Sequence, residues 1–194
     1  GASVNRSFLH LRQDDAAMNS DDGAPWTRTL WMGDKAVDDL HPEWDMWTQF
    51  LCHDTMSALS LDGLQNSHPI EQRVNNPDEI GQLFDAISYS KGGSILRMLE
   101  QYLGADDFQN GLNIYLNRHS HANARTRDLW NALGEASGQP VADIMDTWTG
   151  QTGYPFLDAD IKRDSSGMEV ALSQSRFLYE NVLDGDQPPQ QTWK

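Results

Sequence analysis

Apolar residues in this chain recur at spacings of three and four as far as Gly150, and at a spacing of two beyond Pro155. The first pattern is that of helices with one buried face, the second that of a half-buried strand. Before the switch lie Phe108, Leu112, Tyr115 and Leu116, then Leu129, Trp130 and Leu133, then Val141, Ile144, Met145 and Trp148. After it, Leu157, Ala159 and Ile161 alternate with Asp158, Asp160 and Lys162. "RDSSG" makes a turn, and Met168, Val170 and Leu172 alternate again, with "QSRFL" extending the second strand. The expected fold is therefore mainly α, with an antiparallel hairpin at its C-terminal end. A two-stranded hairpin is marginal alone, so residues 154–194 read as the incomplete first strands of a larger β domain.

Punctuation residues divide the helical part. Residues 1–30, including "RQDDAAMNSDDGAP", are polar and without a hydrophobic period and read as an irregular arm. Asp34 is placed to cap a short helix through Leu40, and Pro42 suits the first turn of the next, roughly 43–61, with Trp44, Trp47, Leu51 and Ala58 on one face. "SHPIEQRVNNP" (67–77) reads extended, because a residue before proline is pushed away from helix. Asn76-Pro77 starts a helix with Ile80, Leu83, Phe84 and Ile87 inward. Ser88 is an expected N-cap for 89–103, whose Ile95, Leu96, Leu99 and Leu103 face inward before Gly104 ends it. Asp106 or Asp107 suits a cap for 108–118, Thr126 opens one helix and Pro140 another. "DGDQPPQQTWK" reads as loop.

The formal charge of −15 over 194 residues argues against nucleic acid or an anionic membrane as partner. It fits a solvated surface or, more sharply, an acid-rich site for cationic ligands. Cys52, the single cysteine, excludes a disulfide framework and a thiolate metal cluster, and its apolar helical context reads as a small buried hydrophobe. With no membrane-length apolar run and no signal-peptide pattern, the sequence reads as soluble and cytoplasmic.

Among candidate chemistries, six histidines invite a search for a zinc helix, yet none of His10, His41, His53, His68, His119 and His121 has another four residues away. His119 and His121 are two apart and would share a face only on an extended segment; surface loop histidines are the plainer reading. "SKGGS" lacks the spacing and the preceding strand of a phosphate loop. In "FDAISYSKGGSILRML" (84–99), Gly92 and Gly93 each cost a helix roughly 1 kcal/mol relative to Ala, which implies close packing against that backbone. Tyr89 falls in the first turn. It is either an amphipathic core residue or a phenol leaning from the end of the bundle into a cleft. A phenol with a pKa near 10 stays protonated at neutral pH and can stabilise a developing oxyanion.

The stretches "KAVDDLHPEWDMW", "SHPIEQRV", "PDEIGQLFDAISYSKGGSILRMLEQYLG", "F..GLNIYL", "NARTRDLW", "MDTWTGQTGYP" and "QSRF" occur in that order over about 31–178. In this the chain resembles the zinc aminopeptidases of the aminopeptidase N (membrane alanyl aminopeptidase-like, gluzincin) family. The resemblance covers about three quarters of the chain, and ISY-x-KG is its most characteristic element. It implies the helical second half of a thermolysin-like catalytic domain over 31–153, followed by the first strands of a small β-sandwich domain. It also implies a catalytic role for Tyr89: the family's tyrosine at that motif position donates its phenol to the tetrahedral intermediate formed when zinc-bound water attacks the peptide carbonyl.

The departures from the family pattern are equally specific. His-Glu-x-x-His, Asn-Glu-Gly-Phe-Ala and Gly-Ala-Met-Glu-Asn are absent, and Trp26 stands five before Trp31, where the family has its third zinc ligand. The resemblance thus implies zinc in the parent family but none in this chain, with no metal ligands and no cofactor-binding residues here. A His2Glu site without its protein ligands cannot generate the zinc-bound hydroxide. The expectation is a partial metallo-aminopeptidase, a fragment silent alone, whose parent acts on the N-terminal end of peptides. The alternative is a non-catalytic module. In that case "SHPIEQRV" and the Tyr89 end hold a peptide weakly, or an exposed apolar face drives self-association.

Overall fold

The computed structural model describes residues 25–72, 85–165, 167–184 and 189–194, with side chains from residue 33 onward except 164 and 182–184. Helix α1 is Pro25–Leu40. This corrects two expectations: residues 25–30 are helical rather than irregular, and Asp34 lies inside the helix instead of capping it. Proline presets φ for a first helical turn, a start signal that the polar texture around Pro25 hides. The helix expected from Asn76-Pro77 lies, up to residue 84, outside the described residues.

A single-turn 3-10 helix, Pro42–Trp44, leads into a rod, α2 (46–62), built from Met46–Phe50, a π turn at Leu51–Thr55, and Met56–Asp62. Its inner face carries Phe50, Ala58 and Asp62, while Trp44 and Leu51, expected inside, are 53% and 57% exposed. The widened turn explains the change of phase. In a regular helix, residues seven apart nearly coincide and residues eight apart do not. The π turn absorbs one extra residue and so brings positions 50 and 58 onto one face. Cys52, expected buried, lies in that turn and is exposed.

Helix α3 (87–103) likewise opens with a π turn, Ile87–Lys91, and continues as Gly92–Leu103. Helices α4 (Ala105–Arg118), α5 (Thr126–Ser137) and α6 (Val141–Thr149) follow with short connections. Leu96, Leu99, Phe108, Leu129, Leu133 and Met145 lie in their shared core. The backbones of α4 and α5 approach so closely at Gly111 that a Cβ there would lie 2.7 Å from Leu133 Cδ2 and 2.8 Å from its Cα.

Strands β1 (Pro155–Asp164) and β2 (Gly167–Arg176) form an antiparallel pair with Ala159 opposite Leu172 and Ile161 opposite Val170. The short helix α7 (Tyr179–Asp184) follows. The chain then returns to the base of β2. The Gln174 side chain accepts from Trp193 N at 2.8 Å and donates to Trp193 O at 3.1 Å, and the Trp193 ring is buried. Among the described residues no helix is long and apolar enough to cross a membrane.

Candidate functional site

Tyr89 is the middle residue of the second π turn. Ile87, Ser88, Ser90 and Lys91 are all buried, leaving Tyr89 as the one residue of the five that keeps contact with solvent. Two turn amides, Ser90 N and Lys91 N, donate to the same acceptor, Ala86 O, each at 2.9 Å. This shared carbonyl widens the turn. Partial burial pushes the Tyr89 phenol above the ordinary tyrosine value. The group is therefore a protonated donor throughout the neutral range.

Ser88 does not cap this helix. It lies inside the π turn, and its own N–H donates to Asp85 Oδ1 at 2.9 Å, so Asp85 takes the capping role. The other carboxylate oxygen of Asp85 accepts from His68 Nε2 at 2.6 Å. A carboxylate only accepts, which places a proton on Nε2. His68 Nδ1 lies 2.9 Å from Pro69 O and 2.7 Å from Gln72 Nε2. The "SHPIEQ" segment is thus strapped beside the start of α3, and Glu71 N completes the strap by donating to Thr149 O at 3.0 Å.

At the other end of the turn, Lys91 Nζ lies 2.7 Å from Asp62 Oδ2, with both side chains almost fully buried. Desolvation lowers the lysine pKa, against the pull of Asp62. The seam between the two π turns is polar. Ser90 Oγ donates to Asp54 Oδ1 at 3.0 Å, and the Thr55 and Ser94 hydroxyls meet at 2.9 Å. Burial and the Asp54 charge raise the pKa of Asp34 on α1.

Sequence reasoning singled out Tyr89 and missed Asp62, Asp85, His68 and the pairing of Lys91. The lysine stood in the quoted motif, but nothing in the spacing tied it to an aspartate on a different helix. Gly92 lines an apolar cavity with Ile70, Ile95, Leu96, Trp130 and Met145. The two histidines weighed as a zinc pair sit beyond α4. His119 rests against Tyr115, with ring centroids 5.4 Å apart, and His121 adopts a φ of 58°. Among the described residues no three His, Cys, Asp or Glu side chains gather as a metal site requires.

Residues 27–148 match the Peptidase family M1 domain. The chain is 51% identical over 148 residues to Aminopeptidase M1 of Arabidopsis thaliana, covering 76% of this chain and 16% of that protein. It is 44% identical over 168 residues to Tricorn protease-interacting factor F2 of Thermoplasma volcanium, covering 82% and 20% respectively. It is 45% identical over 148 residues to the Alanine/arginine aminopeptidase of Saccharomyces cerevisiae, covering 76% and 17%. The chain thus spans at most 20% of the length of these relatives.

Proposed function

The chain belongs to peptidase family M1, and from that premise we propose that it is the tyrosine-bearing helical part of an aminopeptidase catalytic domain. In this reading residues 31–153 form part of the catalytic domain and 154–194 the first strands of a β-sandwich domain. The substrate is the N-terminal end of a peptide. The observation that carries the reading is the partial exposure of Tyr89 in a turn whose other four residues are buried. A neutral phenol held there would donate a hydrogen bond to the peptide carbonyl oxygen as negative charge develops on it. Removing one such donor costs on the order of 10²- to 10³-fold in kcat.

The zinc chemistry of the family requires ligands that this sequence does not carry at the motif positions. We therefore expect the chain by itself to release no chromophore from an aminoacyl nitroanilide and to purify without stoichiometric zinc. Chelator-sensitive turnover in a clean preparation refutes this. The positive arm uses a chimera in which the matching segment of this chain, taken from after Trp26, replaces the corresponding residues of the Arabidopsis relative. Tyr89→Phe in that chimera should lower kcat by roughly 10²- to 10³-fold with little change in KM. Undiminished kcat removes Tyr89 from the chemistry.

A second reading, a non-catalytic interaction module, is favoured by the hairpin. Leu157, Ile161, Met168, Val170 and Leu172 lie on one face of it and are 45–62% exposed. Such a patch favours self-association or pairing with another chain. Light scattering from a single, monodisperse chain that binds no apolar dye would count decisively against it.

A further inference from the structure

Lys91 and Asp62 form a buried ion pair 2.7 Å apart that joins three segments. Besides Asp62, Lys91 Nζ donates to Gly153 O at 2.9 Å and reaches Gln151 O at 3.4 Å. Asp62 Oδ1 accepts from Ser67 Oγ at 2.7 Å and from Gly153 N at 2.9 Å. The end of α2, the start of α3 and the loop before β1 therefore meet at one carboxylate.

Lys91 is also the last residue of the widened turn, where its N–H bonds five residues back to Ala86 O instead of four. A π turn is less favourable than regular helix and persists where a tertiary contact holds it. Successive residues in a regular helix are about 100° apart. If the turn tightened while Lys91 stayed in place, the residues before the turn would rotate by about that angle, and Tyr89, within it, by part of that angle. If Lys91 moved instead, it would leave Asp62. Residues two apart point nearly opposite ways in a regular helix too, so the extra residue sets not the opposition of Tyr89 and Lys91 but the direction of that pair relative to the strap anchored at Asp85.

We infer that Lys91 and Asp62 are positioning residues for Tyr89: their ion pair fixes the register of the π turn and thereby the direction of the phenol. This rests on the reading of Tyr89 as a functional group, but its test uses no turnover. Buried pairs of this kind often add little net stability while selecting one arrangement, and replacing both partners with apolar residues is often tolerated. That separates positioning from mere support of the fold.

The experiment uses the 194-residue chain with ring-¹³C-labelled tyrosine. There are five tyrosines, and the Tyr89 resonance is assigned by its loss in Tyr89→Phe. The variants are Lys91→Met and the double substitution Lys91→Met with Asp62→Leu. In whichever of them folds, the Tyr89 ring signals and the pH at which its phenol titrates should both move. Those of Tyr102 and Tyr115, away from the turn, should stay in place. A Tyr89 signal unchanged in a folded variant overturns the inference. Failure of both variants to fold overturns it equally, since the pair would then be a requirement of the whole fold. Undiminished kcat in the Tyr89→Phe chimera would end the catalytic reading and leave this result standing.

Discussion

Gly153 adopts a φ of +88°, and a Cβ there would lie 2.5 Å from Arg176 Nε. Its N–H and C=O also serve Asp62 and Lys91. Gly153→Ala should destabilise the chain by about 1–3 kcal/mol from backbone strain alone, read as a lower urea midpoint with an unchanged slope. Its neighbour Tyr154 stacks on Phe177 with ring centroids 5.1 Å apart, and desolvation pushes its phenol up to about 12. A folded pKa above the unfolded value means that the native state holds the proton more tightly. The associated stability is present below pH 10 and lost as pH rises towards 12. The melting temperature should fall across that window, and Tyr154→Phe should flatten the fall. Comparing the two proteins isolates this phenol from Lys91, whose lowered pKa acts with the opposite sign at lower pH. An identical alkaline decline in both would remove Tyr154 as its source.

The start of α3 depends on Asp85, which receives Ser88 N with one oxygen and His68 with the other. Asp85→Ala should cost about 1 kcal/mol through the lost cap, with more to come from the freed strap. Thermal unfolding alongside a His68→Gln variant separates the two contributions. This cap also marks the limit of what the sequence disclosed. Helices α5 and α6 were legible because apolar spacing and end signals agree there, α4 from its spacing although Asp106 and Asp107, expected as caps, lie inside its first turn, and the hairpin because its alternation is strict. The π turns were not, since their widening is imposed by polar partners on other helices. A face assigned to α2 at a fixed 3.6-residue period therefore put Leu51 inside, where the structure puts Phe50. In the candidate site, Tyr89 was readable from its motif. Asp62 was not, because an aspartate at the end of an amphipathic helix carries no mark of a buried ion pair with a distant lysine.

At the scale of the whole molecule, apolar attraction through the hairpin opposes charge repulsion. A net charge of −15 holds copies apart at low ionic strength, and added salt screens that repulsion within a few ångströms. Any self-association should therefore grow with salt. It should shrink towards the mass of one chain when Ile161 and Val170, which face each other across the strands, are both replaced by Thr. Light scattering over a salt series reads both effects, and an average mass that salt and the substitutions leave unchanged would rule the hairpin out as the contact. The close approach at Gly111 points the other way, towards the region that opens last. Where two backbones touch with no side chain between them, neither helix can part from the other without exposing both. Amides of Leu112 and Leu133 should then exchange their hydrogens only through near-global opening, while those of the hairpin exchange through local fraying. A protease acting on the native chain would trim the strands first and leave a resistant remnant centred on α4 and α5.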